Sequence, residues 1–352
     1  MNPYFLEGFV ALIGVACISI LLLIRLGPVA RSISLVDRPS ERKTHTDPVP
    51  VIGGIAIYLS FILALTLVPF GLGDYRILLF STGVLMIVGV LDDHNDVKPV
   101  TKLSFQVIAA LVLVYVGDVV VPSVGDIFAW HDGNEQGLGI LSRPLSVIAI
   151  VAVINAFNLI DGHDGLAAGV FLTTMIVLMS YCGLTGNWKM QFTLLVFCIP
   201  VAIFILFNLR LLGRGVDQIF LGDAGSMLLG VVVAYTVISL TNESDTIIKR
   251  THVPWLLGLP IFDMCAVIFD RFRGRGSLVI ADRRHIHHLL LLLGISRELV
   301  LLILLFIHLA LSSVGVLGAW LNFPDWILFW SIFPTLLGYL LMRRILYARV
   351  QN

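Results

Sequence analysis

Charge is what this 352-residue sequence has least of. Lys, Arg, Asp and Glu together make 13% of it, where a soluble domain carries about 25%. With 58% hydrophobic residues, the chain cannot cover itself with polar groups in water, which excludes a soluble globular protein and requires a lipid bilayer as solvent. Formal net charge is zero, so no global field attracts nucleic acid, and none is expected as a partner. Cysteine is equally sparse. Cys17, Cys182, Cys198 and Cys265 all lie in apolar stretches without a C-x-x-C pair, which excludes a disulfide-stapled ectodomain and leaves four small hydrophobes. The chain has no G-x-x-x-x-G-K-[ST] and no G-x-G-x-x-G, which argues against a P-loop or Rossmann nucleotide site. No Lys or Arg precedes the first apolar run. That is the wrong polarity for a cleaved signal peptide and suits a retained span with its N-terminus outside.

What is present is a succession of apolar runs. A span needs about 20 mostly apolar residues, and candidates run over residues 5–24, 51–70, 77–91, 103–121, 145–160, 166–184, 192–209, 224–240, 253–269, 299–320 and 326–342. The expectation is an all-α integral membrane protein, a bundle of about eleven transmembrane helices forming a single domain over residues 1–352. Placing the loop after the first span inside puts eighteen of the 23 Lys and Arg in inside connections. Only Arg76, Arg143, Lys189, Lys249 and Arg250 fall outside. The positive-inside rule then sets the N-terminus in the periplasm and the C-terminus in the cytoplasm. The outside connection from Pro122 to Arg143 reads as a turn or small hairpin at its glycines. Nearly all candidate chemistry falls in inside connections, about 25–50, 92–102, 155–165, 210–226 and 271–297.

Five constellations carry that chemistry. The basic loop 25–50 can meet lipid phosphates, although topology alone also explains its charge. Asp92 and Asp93 close the third run, followed by Lys98 and Lys102; adjacent carboxylates can hold Mg²⁺ or accept a proton, and the lysines can neutralise phosphate, against the alternative of a solvated helix end. From Asn155 to Gly165 the chain reads Asn-Ala-Phe-Asn-Leu-Ile-Asp-Gly-His-Asp-Gly. Asn155 and Asn158 are buried amides in need of a partner or ligand. Asp161 and Asp164 share a face if the helix continues, while the glycines suggest that it unwinds. Asp223, in Phe-Leu-Gly-Asp-Ala-Gly-Ser from Phe220 to Ser226, sits at a helix start where backbone donors can receive phosphate while the carboxylate holds its metal; a plain N-cap is the competing reading. Arg283, His285, His287 and His288, in Asp-Arg-Arg-His-Ile-His-His, form an anion-binding group. Zinc is the rival, but the spacing fits no usual zinc site. Asp263 can pair with a base or line the site, and His308 reads as a satisfied bundle histidine.

Taken together and in order, Leu91-Asp-Asp, the Asn155 to Gly165 stretch, Phe220 to Ser226, Pro260-Ile-Phe-Asp and Asp282 to His288 resemble the polyprenyl-phosphate N-acetylhexosamine-1-phosphate transferase family over nearly the whole length. The resemblance implies transfer of N-acetylhexosamine 1-phosphate, most directly N-acetylglucosamine 1-phosphate, from the UDP-sugar to undecaprenyl phosphate. UMP leaves, in the first membrane step of O-antigen or another cell-surface glycan, at the inner membrane of a bacterium. It also implies Mg²⁺, with Mn²⁺ as an alternative ion, held by Asp223 with Asn158. Asp92 would position or deprotonate the lipid phosphate, and Asp93 would support the metal or its waters. Asp161 and Asp164 would lie at the nucleotide and metal end of the cleft. Lys102 would meet phosphate, and Arg283, His285, His287 and His288 would hold the sugar nucleotide, with Asn155 also on the substrate side. Where the pentapeptide-nucleotide branch of the family has a lysine and an unbroken histidine run, this chain has Asp96 and Ile286, which favours a simple UDP-N-acetylhexosamine. The sequence is compatible with a homodimer. A secondary transporter is the alternative class, but its ionisable residues belong near the midplane in two repeated halves.

Overall fold

The computed structural model describes residues 3–38, 47–67, 72–128, 135–213, 217–242, 248–273 and 285–351. Among them the chain is nearly all helix. After α1 (Pro3–Ser32) come two short antiparallel strands, β1 (Val36–Asp37) and β2 (Val49–Pro50), pairing Val36 with Pro50 and Asp37 with Val49. Then follow α2 (Gly53–Leu67), α3 (Arg76–Asn95), α4 (Pro99–Leu111, continued by a π-helical stretch, Val112–Val116, into one span), α5 (Ser142–Ile160), α6 (Leu166–Thr185), α7 (Trp188–Asn208) and α8 (Gly222–Thr241). The chain ends with α9 (Val253–Leu256), α10 (Gly258–Arg273), α11 (Ile286–Leu292), α12 (Arg297–Trp320), α13 (Asp325–Trp330) and α14 (Ile332–Gln351).

Nine of the described helices are long and apolar enough to cross a membrane, ten if the bent pair before Arg271 counts as one span. The multi-span reading therefore holds, and two of the eleven expected spans depart from simple helices. The second, α2, has 15 residues, about 22 Å of helix against a hydrocarbon core of about 30 Å. The ninth is broken by 75° at Leu257. Pro260 has no N–H for the carbonyl four residues back, so a continuous helix cannot pass this point. The third span is also longer than hydropathy indicates: α3 extends to Asn95 and takes Asp92 and Asp93 into its last turns, closing at Asp96 in the left-handed region, whose N–H returns to the Asp92 carbonyl.

α8 is the centre of the bundle. Its apolar window is 89% buried, against 22% for α1. Small residues allow its neighbours that close. A Cβ on Gly54 would lie 2.4 Å from the Gly225 nitrogen, one on Gly89 2.3 Å from the Ala224 Cα, and one on Gly230 2.8 Å from the Ile154 Cα. α2, α3 and α5 thus meet α8 backbone to backbone, the packing expected where lipid supplies no hydrophobic drive between helices. Outward side chains such as Ile87, Leu302 and Phe306 are exposed, as a lipid-facing surface requires.

The helix directions bring the C-terminal ends of α3 and α5 together with the N-terminal ends of α4 and α8. At the opposite end, the segment from Ser123 to Gly137 pairs as the expected small hairpin, its residues 129–134 lying outside the described ones. Arg143 there meets Asp118, Lys249 meets Asp325, and Arg250 meets Glu135.

Candidate active site

The site forms where those four helix ends converge. Lys102, one turn into α4, reaches the Asp92 Oδ2 on α3 at 2.9 Å and also bonds the Asp223 Oδ2 on α8. Both partners are mostly shielded, with side-chain exposures of 12% for Asp92 and 33% for Asp223. One ammonium between two carboxylates leaves a net negative charge, a costly arrangement away from water unless something else shares it. Asn158, in the last turn of α5, donates to the Asp223 Oδ1 at 3.0 Å and to the Ser226 hydroxyl at 2.9 Å. Asp92 also accepts the Val97 N–H at 2.8 Å, which ties the α3–α4 turn to the same carboxylate.

Asp223 is the second residue of α8 rather than its cap. The N-terminal donors expected to face phosphate are engaged: Asp93 accepts the Asp223 N–H at 2.8 Å and the Ala224 N–H at 3.4 Å. A carboxylate at a helix N-terminus is favoured by the aligned peptide dipoles as well as by these bonds. The loop before α8 is stitched to the loop before α2, through the Phe220 N–H to the Pro50 carbonyl at 2.9 Å and the Gly53 N–H to the Phe220 carbonyl at 2.9 Å. Gly222 completes the approach at φ +74°, and a Cβ there would fall 2.5 Å from the Asp93 Oδ2.

α5 ends at Asp161, and the chain unwinds through Gly162 to Gly165, which starts α6 with φ +75°. Asp161 and Asp164 therefore do not share a helical face. Burial, then the charges of Asp223, Asp93 and Asp164, push the Asp161 carboxyl well above its usual range. Burial also raises Asp164, opposed by His163, Arg297, Gln218 and Arg210. Gln218, half-buried, donates to the Asp164 Oδ2 at 3.3 Å and to the Asn208 carbonyl at 3.0 Å. Beside it lies a cavity of about 300 Å³ lined by Arg31, Pro50, Arg210, Asp217 and Gln218. Asn155 lies one turn deeper than Asn158, and its amide donates to the Gln106 Oε1 at 2.6 Å and the Val151 carbonyl at 2.8 Å. The first bond joins α4 to α5 and the second stays within α5, so both amide hydrogens have helical partners.

The histidines stand on α11 and its first flank. His285 donates from Nδ1 to the Asp263 Oδ2 at 2.7 Å, and the other oxygen of Asp263 accepts the Ile286 N–H at 3.1 Å and the Tyr339 hydroxyl at 2.9 Å. The expected pairing of Asp263 with a basic group is thus with His285. His285 stacks on His287 at 5.7 Å between ring centroids, and His287 lies 4.1 Å from His288 and 6.5 Å from His163. His287 is fully buried against Gly162, where a Cβ would sit 2.4 Å from its Nε2, and neither ring nitrogen has a protein partner among the described residues. Burial, with the charges of His288 and His285, holds its pKa well below the usual value. Such a shift favours the neutral ring, which still has one N–H to donate. Arg283 lies outside the described residues.

Ser226, Gln106, Gln218 and Tyr339 belong to the site's support, and the last three lie outside every motif. Only Ser226, three residues past Asp223, was within reach of a spacing argument. The His308 Nε2 pairs with the Thr174 hydroxyl at 2.9 Å inside the bundle, while its Nδ1 is buried without a hydrogen-bond partner among the described residues, so the bundle satisfies only half of the ring.

A polytopic helical membrane protein with a carboxylate-rich, lysine-bridged centre at one end of its bundle is the class this architecture defines. The profile of glycosyl transferase family 4 matches residues 75–241, which contains Asp92, Asp93, Lys102, the Asn155 to Gly165 stretch and Asp223. The similarity extends well beyond that segment. The undecaprenyl-phosphate alpha-N-acetylglucosaminyl 1-phosphate transferase of Escherichia coli (strain K12) is 30% identical over 302 residues, covering 85% of this chain and 81% of that protein. The protein of the same name from Yersinia pestis is 32% identical over 305 residues with the same coverage, and that from Haemophilus influenzae is 29% identical over 328 residues, covering 93% and 90%. The chain belongs to glycosyl transferase family 4.

Proposed function

We propose that the protein transfers N-acetylglucosamine 1-phosphate, or the 1-phosphate of a closely related N-acetylhexosamine, from its UDP-sugar to undecaprenyl phosphate. An oxygen of the lipid phosphate attacks the sugar-bearing phosphorus, the bond from that phosphorus to the bridging oxygen breaks, and UMP leaves. The observation that carries this reading is the Lys102 ammonium shared by Asp92 and Asp223 at the head of α8. The named relatives act on the same acceptor.

A phosphate monoester has its second pKa near 6 and is largely dianionic at neutral pH, so the nucleophile needs no strong base. The task is to bring two anions into line and offset their repulsion. Lys102 is the cation placed to meet phosphate charge, and Asp92 orients it. Asn158, itself held by the Ser226 hydroxyl, fixes the rotamer of Asp223, while Asp93 holds that residue's backbone N–H. Asp161 and Asp164 stand at the donor end, with His285, His287, His288 and Arg283 on the diphosphate.

The carboxylates fit a hard divalent cation. Mg²⁺ is usually held by one or two carboxylates plus substrate phosphates, and Asp223 with Asp92 beside it offers that many at the lysine bridge. Asp161 is raised first by burial and then by the charges of Asp223, Asp93 and Asp164, a gathering of carboxylates that a bound cation would offset. Asp223 would hold the ion, with Asn158 turning its oxygen inward when it binds. Bound Mg²⁺, or Mn²⁺ in its place, would neutralise the phosphate oxygens and the leaving UMP.

The charge asymmetry supports an eleven-span arrangement in a bacterial inner membrane, with this end of the bundle facing the cytoplasm. An alternating-access transporter would carry its ionisable groups near the middle of the bundle, whereas these carboxylates stand at helix ends. The test is UMP release by the purified protein from UDP-N-acetylglucosamine and undecaprenyl phosphate with Mg²⁺. Release that is lost in Asp223→Asn supports the assignment. No release with any UDP-N-acetylhexosamine defeats it.

A further inference from the structure

Asp263 is buried to 1% exposure and receives three donors from three directions: the His285 ring, the Ile286 backbone and the Tyr339 hydroxyl. The first two come from the start of α11. The third comes from α14, 76 residues away along the chain. Tyr339 is itself 7% exposed, its ring beside Phe262 at 6.2 Å between centroids. One turn further along α14, Arg343 donates to the Asp270 Oδ2 at 3.1 Å, so α14 is fastened to α10 at two successive turns.

A carboxylate that serves three donors cannot rotate without breaking at least one bond. Tyr339 and Ile286 share Oδ1, which leaves Oδ2 aimed at His285. With Nδ1 committed to that oxygen, Nε2 is the nitrogen His285 has left for a ligand, and the ring plane is set by a bond of 2.7 Å. The same ring stacks on His287, so the aim of one histidine propagates to its neighbour.

We propose that Tyr339 is a positioning residue for the sugar-nucleotide side of the site, acting through Asp263 on His285. This rests on the transferase reading above. The last helix thereby takes part in donor binding without contacting the donor. Loss of the hydroxyl leaves Oδ1 with one donor, frees the carboxylate to turn, and loosens His285.

The experiment is Tyr339→Phe, which keeps the ring and removes only the hydroxyl, compared with His285→Ala and with the double variant in the UMP-release assay. The expected result is a rise of roughly three- to tenfold in KM for the UDP-sugar, the size of one lost hydrogen bond in a buried network. KM for undecaprenyl phosphate stays unchanged. In the His285→Ala background the same substitution has no further effect on KM, because the group it positions is gone. Unaltered donor KM in Tyr339→Phe overturns the proposal, as does an effect that persists undiminished in the double variant, since a merely structural tyrosine acts independently of His285. Failure of the transferase reading shows separately, as absence of UMP release by the wild-type protein.

Discussion

Asp93 on α3 accepts the backbone N–H of Asp223 at 2.8 Å, so the helix presenting the central carboxylate starts under a cap lent by another helix. Asp263 does the same for α11 through Ile286. Such a cap contributes about 1–2 kcal/mol, and here it also sets where Asp223 stands. Asp93→Ala is expected to lower the thermal unfolding midpoint in detergent by several degrees and to cut UMP release, with Asp93→Asn, which keeps one acceptor oxygen, between it and wild type. Melting curves that superimpose for Asp93→Ala and wild type would mean that the cap is energetically idle.

Asp161 has a specific pH signature. Its carboxyl is raised well above the ordinary 3.8 by burial and by Asp223, Asp93 and Asp164. Between pH 3.8 and that raised value, the folded chain keeps a proton that the unfolded chain has released. Stability therefore falls as pH rises through the window, and the full penalty is present above it. Asp161→Asn removes the penalty. In metal-free buffer this variant should melt higher than wild type at pH 7.5, with the gap closing toward pH 4, while UMP release falls. A variant that melts at or below wild type at pH 7.5 contradicts the electrostatic account.

Much of this was legible in the sequence, for identifiable reasons. Apolar runs report the spans because lipid demands them, and carboxylates at their ends report a site because lipid penalises them. Asp92, Asp161, Asp164 and Asp223 were all visible that way. The partners were not. Hydropathy has no direction, so the 75° break at Leu257 is hidden inside one apolar run. The same holds for contacts: Asp93 beneath α8, Asn155 on Gln106 and Tyr339 on Asp263 join residues 49 to 131 positions apart, and no local pattern encodes them. Asn155 and Asn158 share a spacing argument, yet one turn of helix separates a tie to α4 from a tie to the Asp223 carboxylate on α8.

Gly162 offers a test of how closely the histidines must seat. A Cβ there would lie 2.4 Å from the His287 Nε2 and 2.8 Å from its Cε1, too close for the ring to stay. Gly162→Ala is expected to push His287 out of its buried position and raise KM for the UDP-sugar at least tenfold. The pH profile of stability should also change. Burial holds the wild-type His287 pKa well below its usual value in the folded chain, so acidification below about 6.5 protonates the unfolded chain first and destabilises the fold. A ring displaced into water loses that dependence. Equal KM and an equal loss of melting temperature between pH 7.5 and 5.5 in both proteins would show that the ring has room to spare.

The Lys102 bridge makes a prediction about the metal that does not depend on turnover. Lys102 occupies the same Asp223 carboxylate that Mg²⁺ would take, so ion and ammonium compete in the absence of substrate. A ligand that binds only the folded state stabilises it by about 1.4 kcal/mol at tenfold excess over its Kd. Mg²⁺ should therefore raise the melting temperature of the wild-type protein by a few degrees and have no effect on Asp223→Asn. Lys102→Met should melt lower than wild type without the ion, because two carboxylates then face each other unscreened. It should gain more from Mg²⁺ than wild type does, even though its UMP release is at least a hundredfold down. An Mg²⁺ shift of the same size in Asp223→Asn as in wild type would place the ion away from α8, and a smaller shift in Lys102→Met would mean that the lysine helps the ion to bind rather than standing in its place.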